Sequence, residues 1–172
     1  MSRVWCASVG VALLLAATVV AGGAATPEAA FKDFQAAVKA KDGNKTWALL
    51  AKDSQAKMEL MAGLMKEQFK KLADLPEEQR KAIEEQLTKA FGMTLAEIQK
   101  MDGKAMLTFS LKNAAKFGKG DPFADVAEST LEDVKVDGDK ATAKVKTKTK
   151  TEPLEFRKEG GSWKIQMPDN KK

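Results

Sequence analysis

The 172-residue sequence contains no histidine and no tyrosine, and its single cysteine is Cys6 near the N-terminus. Past the first 25 residues, nucleophilic, acid–base or zinc chemistry finds neither an imidazole nor a thiol. The same lack excludes disulfide staples. It also suits an oxidising compartment, where a chain without thiols cannot misoxidise. No glycine-rich phosphate loop is present, because the Gly-Gly pairs fall at 22–23 and in a turn at 160–161. Asp133, Asp137 and Asp139 surround a hairpin rather than following calcium-loop spacing. Asp33, Asp53 and Glu59 are the acidic residues that could face a pocket, and each is more simply a solvated helix residue. The expectation is a non-enzyme without metal or cofactor.

What is present begins with a leader. Met1-Ser2-Arg3 precedes an uncharged stretch whose apolar heart, Val9 to Ala21, has signal-peptide length and is short for a membrane span. Ala21-Gly22-Gly23-Ala24-Ala25 then supplies the small residues a signal peptidase needs, so cleavage is expected before Thr26. An uncleaved anchor is the alternative. Cys6 precedes the apolar heart instead of closing it, which is the wrong place for a lipid-accepting cysteine. Residues 1–25 are therefore read as a signal peptide and 26–172 as a single periplasmic or secreted domain. Losing Arg3 lowers the net charge of +5 by one, a value that favours solubility and little else. With 44% hydrophobic and 31% charged residues the composition is globular.

The spacing predicts helices over 26–121. Thr26-Pro27-Glu28 has a hydroxyl cap, a proline at the first position and an acid at the positive end of the dipole. Asp42-Gly43 is expected to end this helix, with a second from Lys45 to Leu50 and a third from Ser54 to Ala73 carrying a Met58, Met61, Leu64, Met65 and Leu72 stripe. Pro76-Glu77-Glu78 opens a fourth, with Ile83, Leu87, Ala90 and Phe91 inward and Gly92 as its stop. Thr94-Leu95-Ala96-Glu97 has capping-box spacing for a fifth. Asp102-Gly103 is expected to break the fifth helix. A sixth runs from Met106 to Phe117, and Gly118 and Asp121-Pro122 close the helical part.

Residues 126–167 read as a four-stranded antiparallel meander. A two-residue turn at Asp137-Gly138 pairs Val136 with Asp139. One at Gly160-Gly161 pairs Lys158 with Trp163, Phe156 with Ile165 and Leu154 with Met167. A middle turn at Thr151-Glu152 places Thr147 opposite Phe156, Thr149 opposite Leu154, Lys148 opposite Glu155 and Lys144 opposite Glu159. Leu131 breaks parity with Val134, so a β-bulge is expected near Glu132-Asp133. One face is apolar and the other charged, so the helices must cover the apolar face, giving an α+β fold.

Two stretches carry a resemblance: Thr26-Pro27-Glu28-Ala29-Ala30-Phe31-Lys32-Asp33-Phe34 with Asp42-Gly43 before Trp47-Ala48-Leu49-Leu50, and Asp137-Gly138-Asp139-Lys140-Ala141 with Glu159-Gly160-Gly161-Ser162-Trp163-Lys164-Ile165. The sequence resembles exported bacterial domains of the nuclear transport factor 2-like (cystatin-like α+β) superfamily over roughly 26–54 and 126–167. The resemblance implies a cavity between the sheet and the first helices, near Phe31, Phe34, Trp47, Phe156 and Trp163. Segment 55–121 departs from the pattern by being more helical.

Three functional readings follow. The first is an exported non-catalytic binding or scaffolding domain with an envelope protein as partner. The second is a carrier of a small apolar ligand between sheet and helices, with Phe34, Trp47, Met61, Met65, Phe156 and Trp163 as candidate lining. Met93, Met101, Met106 and Met167 add adaptable apolar surface. The third is weak binding of an anionic polymer or membrane surface by Lys144, Lys146 and Lys148, part of a lysine row from Lys140 to Lys150. Nucleic acid is disfavoured because no aromatic interleaves with the lysines. The lysine-rich sheet face favours a monomer over the homodimer common in the superfamily.

Overall fold

The computed structural model describes residues 23–114 and 122–167. Cys6, the apolar stretch from Val9 to Ala21 expected to belong to a leader, and the expected helix end at Phe117, Gly118 and Asp121 lie outside the described residues. Among the described residues, seven α-helices precede a four-stranded antiparallel sheet with strand order β1-β2-β3-β4. The helices are α1 (Pro27–Lys39), α2 (Gly43–Leu49), α3 (Lys52–Lys70), α4 (Glu77–Phe91), α5 (Leu95–Lys100), α6 (Gly103–Asn113) and α7 (Pro122–Ala127). The strands are β1 (Thr130–Asp137), β2 (Lys140–Lys146), β3 (Thr151–Glu159) and β4 (Ser162–Gln166). Helices α1, α2 and α3 contact the sheet, and α6 packs against α2 and α3. This is the expected α+β architecture.

Local chemistry sets the helix ends. The Thr26 hydroxyl accepts the Ala29 N–H and Pro27 occupies the first turn of α1. Thr94 and Glu97 close the expected capping box on α5, and Gly92 ends α4 in the left-handed region at φ 71°. The Thr94 backbone and hydroxyl hydrogen bonds hold the Glu97 carboxyl below the usual carboxylate range.

Three aspartate-bearing signals act differently from expectation. Asp42 and Asp102 cap the N-termini of α2 and α6 by accepting from Lys45 N and Ala105 N, at 3.0 and 2.7 Å. Asp42-Gly43 and Asp102-Gly103 therefore start helices two or three residues earlier than expected. Pro122 likewise opens α7, so Val126 belongs to a short helix and not to a strand. The third helix begins at Lys52 and passes into a 3-10 turn, Lys71–Asp74. Its apolar stripe is only partly buried: Met58 is buried, whereas Met61 and Leu64 are 55% and 59% exposed. Ala90 is exposed rather than inward.

The sheet keeps the expected faces with a corrected register. Gly138-Asp139 is the first turn, so Val136 pairs with Ala141 and not with Asp139. Gly138, at φ 57°, takes the first turn position, where glycine adopts positive φ without strain. The middle turn is Thr147–Lys150, not Thr151-Glu152. Thr147 organises it: its N–H donates to the Lys150 carbonyl at 2.8 Å, and its hydroxyl oxygen accepts from Thr149 N and Lys150 N. Phe156 therefore lies opposite Ala141, and Leu154 opposite Ala143. The Gly160-Gly161 hairpin pairs Lys158 with Trp163 and Phe156 with Ile165 as expected, but the ladder stops at Glu155–Gln166, short of Leu154 and Met167. The bulge falls between Glu132 and Lys135, with Asp133 at φ 55°.

The core gathers Phe31, Val38, Leu50, Met58, Leu107, Leu111, Phe156, Trp163 and Ile165. Two segments close the outer edge of β4, as edge strands require. Ala51 N donates to the Ile165 carbonyl at 2.8 Å, and Trp163 N donates to the Ala24 carbonyl at 2.9 Å. Ala24 itself is buried. A chain that begins at Thr26 is accordingly expected to be less stable than one that begins at Gly23. The buried Trp163 N–H loses its acceptor, at a cost of about 1–3 kcal/mol. Urea midpoints of the two chains check this, and equal midpoints would show that the Ala24 pairing contributes nothing.

Candidate functional site

Where the helices leave the sheet, a cavity of about 300 Å³ lies between them. Phe31 and Phe34 from α1, Leu107 from α6, and Val145, Leu154 and Ile165 from the sheet form part of its wall. The small Ala141 and Ala143 on β2 pair with Phe156 and Leu154 and give the sheet side little bulk. Exposed Glu152 and Pro153 mark the mouth, and Lys150 Nζ lies 2.8 Å from Glu152 Oε1. Lys57 Nζ donates to the carbonyl of Met167, one of the lining residues. Thr46, fully buried in the wall, donates its hydroxyl proton to the Asp42 carbonyl, so it presents no free donor. A mostly apolar lining, with the Thr46 hydroxyl already bonded and charged groups at the exposed Glu152, is the arrangement of a small-molecule site, at the lower end of the usual size range of roughly 300–1,000 Å³.

A second cavity, of about 270 Å³, lies among α3, α4, α5 and α6. Met65, Met93, Met101 and Met106 line it with Phe69 and Phe109. Methionine side chains adapt to irregular apolar guests because they are unbranched and polarizable.

The expected lining residues separate in space. Phe34 lines the sheet–helix cavity and Met65 lines the second. Phe156 and Trp163 are buried core, and Trp47 packs half-buried against it. Met61 lies exposed on α3, beside Leu60 and Leu64 on one helix face. Asp33 lines a separate cleft of about 430 Å³ with Lys45 and Lys164, Asp53 is exposed, and the Glu59 carboxylate accepts the Gly103 N–H at 2.9 Å. Among the described residues, Glu152 is the carboxylate that lines the sheet–helix cavity. Sequence reasoning missed Leu107, Ser110 and Leu154. The available signal was the split of α6 into two faces, Met106, Phe109 and Ser110 on one and Leu107 and Leu111 on the other.

From Lys144 to Lys150 the lysine row is ion-paired. Lys144 lies 2.7 Å from Asp133, Lys146 3.4 Å from Glu132 and Lys148 2.6 Å from Glu128. These partners come from the β1 side and replace the expected Glu155 and Glu159. In the observed register Lys144 faces Pro153, and Lys148 sits in the middle turn. The Glu159 carboxylate accepts from Lys52 N at the start of α3. Hydrogen bonds from Lys144 and Lys148, then their charges, hold Asp133 and Glu128 below the usual carboxylate range. The same contacts raise the two lysines. The strip presents little uncompensated charge to a polyanion.

Among the described residues no group of three histidine, cysteine or acidic side chains converges, and no helix is long and apolar enough to cross a membrane. No protein-family model, curated protein or solved structure matches the chain.

Proposed function

We propose that the chain is an exported, non-catalytic binding domain of nuclear transport factor 2-like type that holds a small apolar ligand between its sheet and its helices. The observation that carries this reading is the cavity of about 300 Å³ walled by Phe31, Phe34, Leu107, Val145, Leu154 and Ile165. A leader-like N-terminus supports export, and the lack of histidine and tyrosine supports a binding role over a catalytic one. The curled meander with helices on its apolar face supports the family assignment.

The test is uptake of an apolar fluorescent dye by the protein without its leader. Dye emission rises on the wild-type protein, and Leu154→Trp, which fills the cavity beside Pro153, abolishes the rise with the thermal midpoint retained. No rise on the wild type, or an equal rise on the variant, contradicts the reading. A second reading, a surface for an envelope protein, is favoured by the exposed Leu60, Met61 and Leu64 on α3.

A further inference from the structure

The wall between the two cavities is α6. Leu107 faces the sheet–helix cavity and Met106 and Phe109 face the methionine cavity. Ser110 is the one described residue that lines both. It is half-buried, and as a serine it is the smallest side chain in the methionine cavity's wall. Leucine or phenylalanine there would project several further atoms into the gap between the two voids.

We infer that the two cavities are one elongated apolar site pinched at Ser110, and that its ligand is an unbranched, single-chain acyl amphiphile. This rests on the apolar-ligand reading above and names the class of ligand. Each cavity alone, at about 300 and about 270 Å³, is at or below the small-molecule range, whereas together they fall inside it. The polar end stays at the mouth beside Glu152 and Lys150, where charged groups remain in water. The tail passes Ser110 into the methionine cavity. Four thioether side chains in that cavity suit a flexible alkyl chain without fixed shape better than a rigid planar ring.

Chain length is the discriminating variable. Octanoate fits the sheet–helix cavity alone, and hexadecanoate needs both. Calorimetric titration of the protein without its leader is expected to show tighter binding of hexadecanoate than of octanoate. Ser110→Phe weakens hexadecanoate at least about tenfold more than octanoate, equivalent to roughly two methylene groups left in water. Met93→Trp, which fills the second cavity without touching the junction, gives the same split and guards against a folding defect in the first variant. Equal loss for both chain lengths, or unchanged hexadecanoate binding in both filling variants, overturns the joined-site inference. Binding of neither acid by the wild-type protein overturns the apolar-ligand reading itself.

Discussion

Phe156→Ala is expected to lower the unfolding free energy by about 3–5 kcal/mol. The ring is 1% exposed in the middle of β3 and sits between Ala141 on β2 and Ile165 on β4. Two terms add. The ring's own transfer from water is lost, and a void remains because alanine at position 141 cannot expand into it and Ile165 is held by the β4 edge contacts. Domains of this size are stable by only about 5–15 kcal/mol, so the variant loses a large share of the total. A urea midpoint shift at constant slope measures the effect. A loss below about 1 kcal/mol would mean that the sheet core packs differently around this position.

Gly103→Ala is expected to destabilise although alanine is the better helix former. A methyl group on Gly103 would lie 2.7 Å from the Glu59 nitrogen and 2.8 Å from the Met58 carbonyl carbon, both backbone atoms of α3. Rotamer changes cannot relieve a backbone clash, so α6 must move away from α3. That movement also stretches the 2.9 Å hydrogen bond from Gly103 N to Glu59. Overpacking of this kind costs about 1–3 kcal/mol, which exceeds the roughly 1 kcal/mol that glycine-to-alanine gains in a helix. Gly63→Ala on α3 separates the two effects, because a methyl there meets nothing within 4 Å. It should gain up to about 1 kcal/mol. Chemical denaturation of both variants gives opposite signs, and a stabilised Gly103→Ala would contradict the close approach of α3 and α6.

The faces of the sheet and the register of its last hairpin were legible in the sequence, but the registers at the first and middle turns were not. Side chains alternate with period two, so any even shift leaves each residue on its face. The first turn moved the pairing by two residues and the middle turn by six, and every apolar side chain stayed on the apolar side. What decides the middle turn is the Thr147 hydroxyl, a local bond that competes invisibly with strand propensity in a run of alternating lysine and threonine. Asp-Gly and Asp-Pro were ambiguous for a related reason. The aspartate that ends one element by leaving it can cap the next, as Asp42 and Asp102 do, and proline at 122 suits a first helical turn.

The candidate site was only partly legible. Aromatic and methionine positions show which residues are apolar, but a void is the difference between neighbouring surfaces in three dimensions. Trp47 and Trp163 were equally good lining candidates in the sequence, yet both pack against the core. Leu154 and Ser110 acquire their position only when β3 and α6 are placed.

Native mass spectrometry of the protein purified gently from its own compartment tests the apolar-ligand account most directly. The account predicts one small adduct per chain, lost on denaturation, with the mass of a single-chain amphiphile. A chain at its bare calculated mass that also takes up no added hexadecanoate would contradict it.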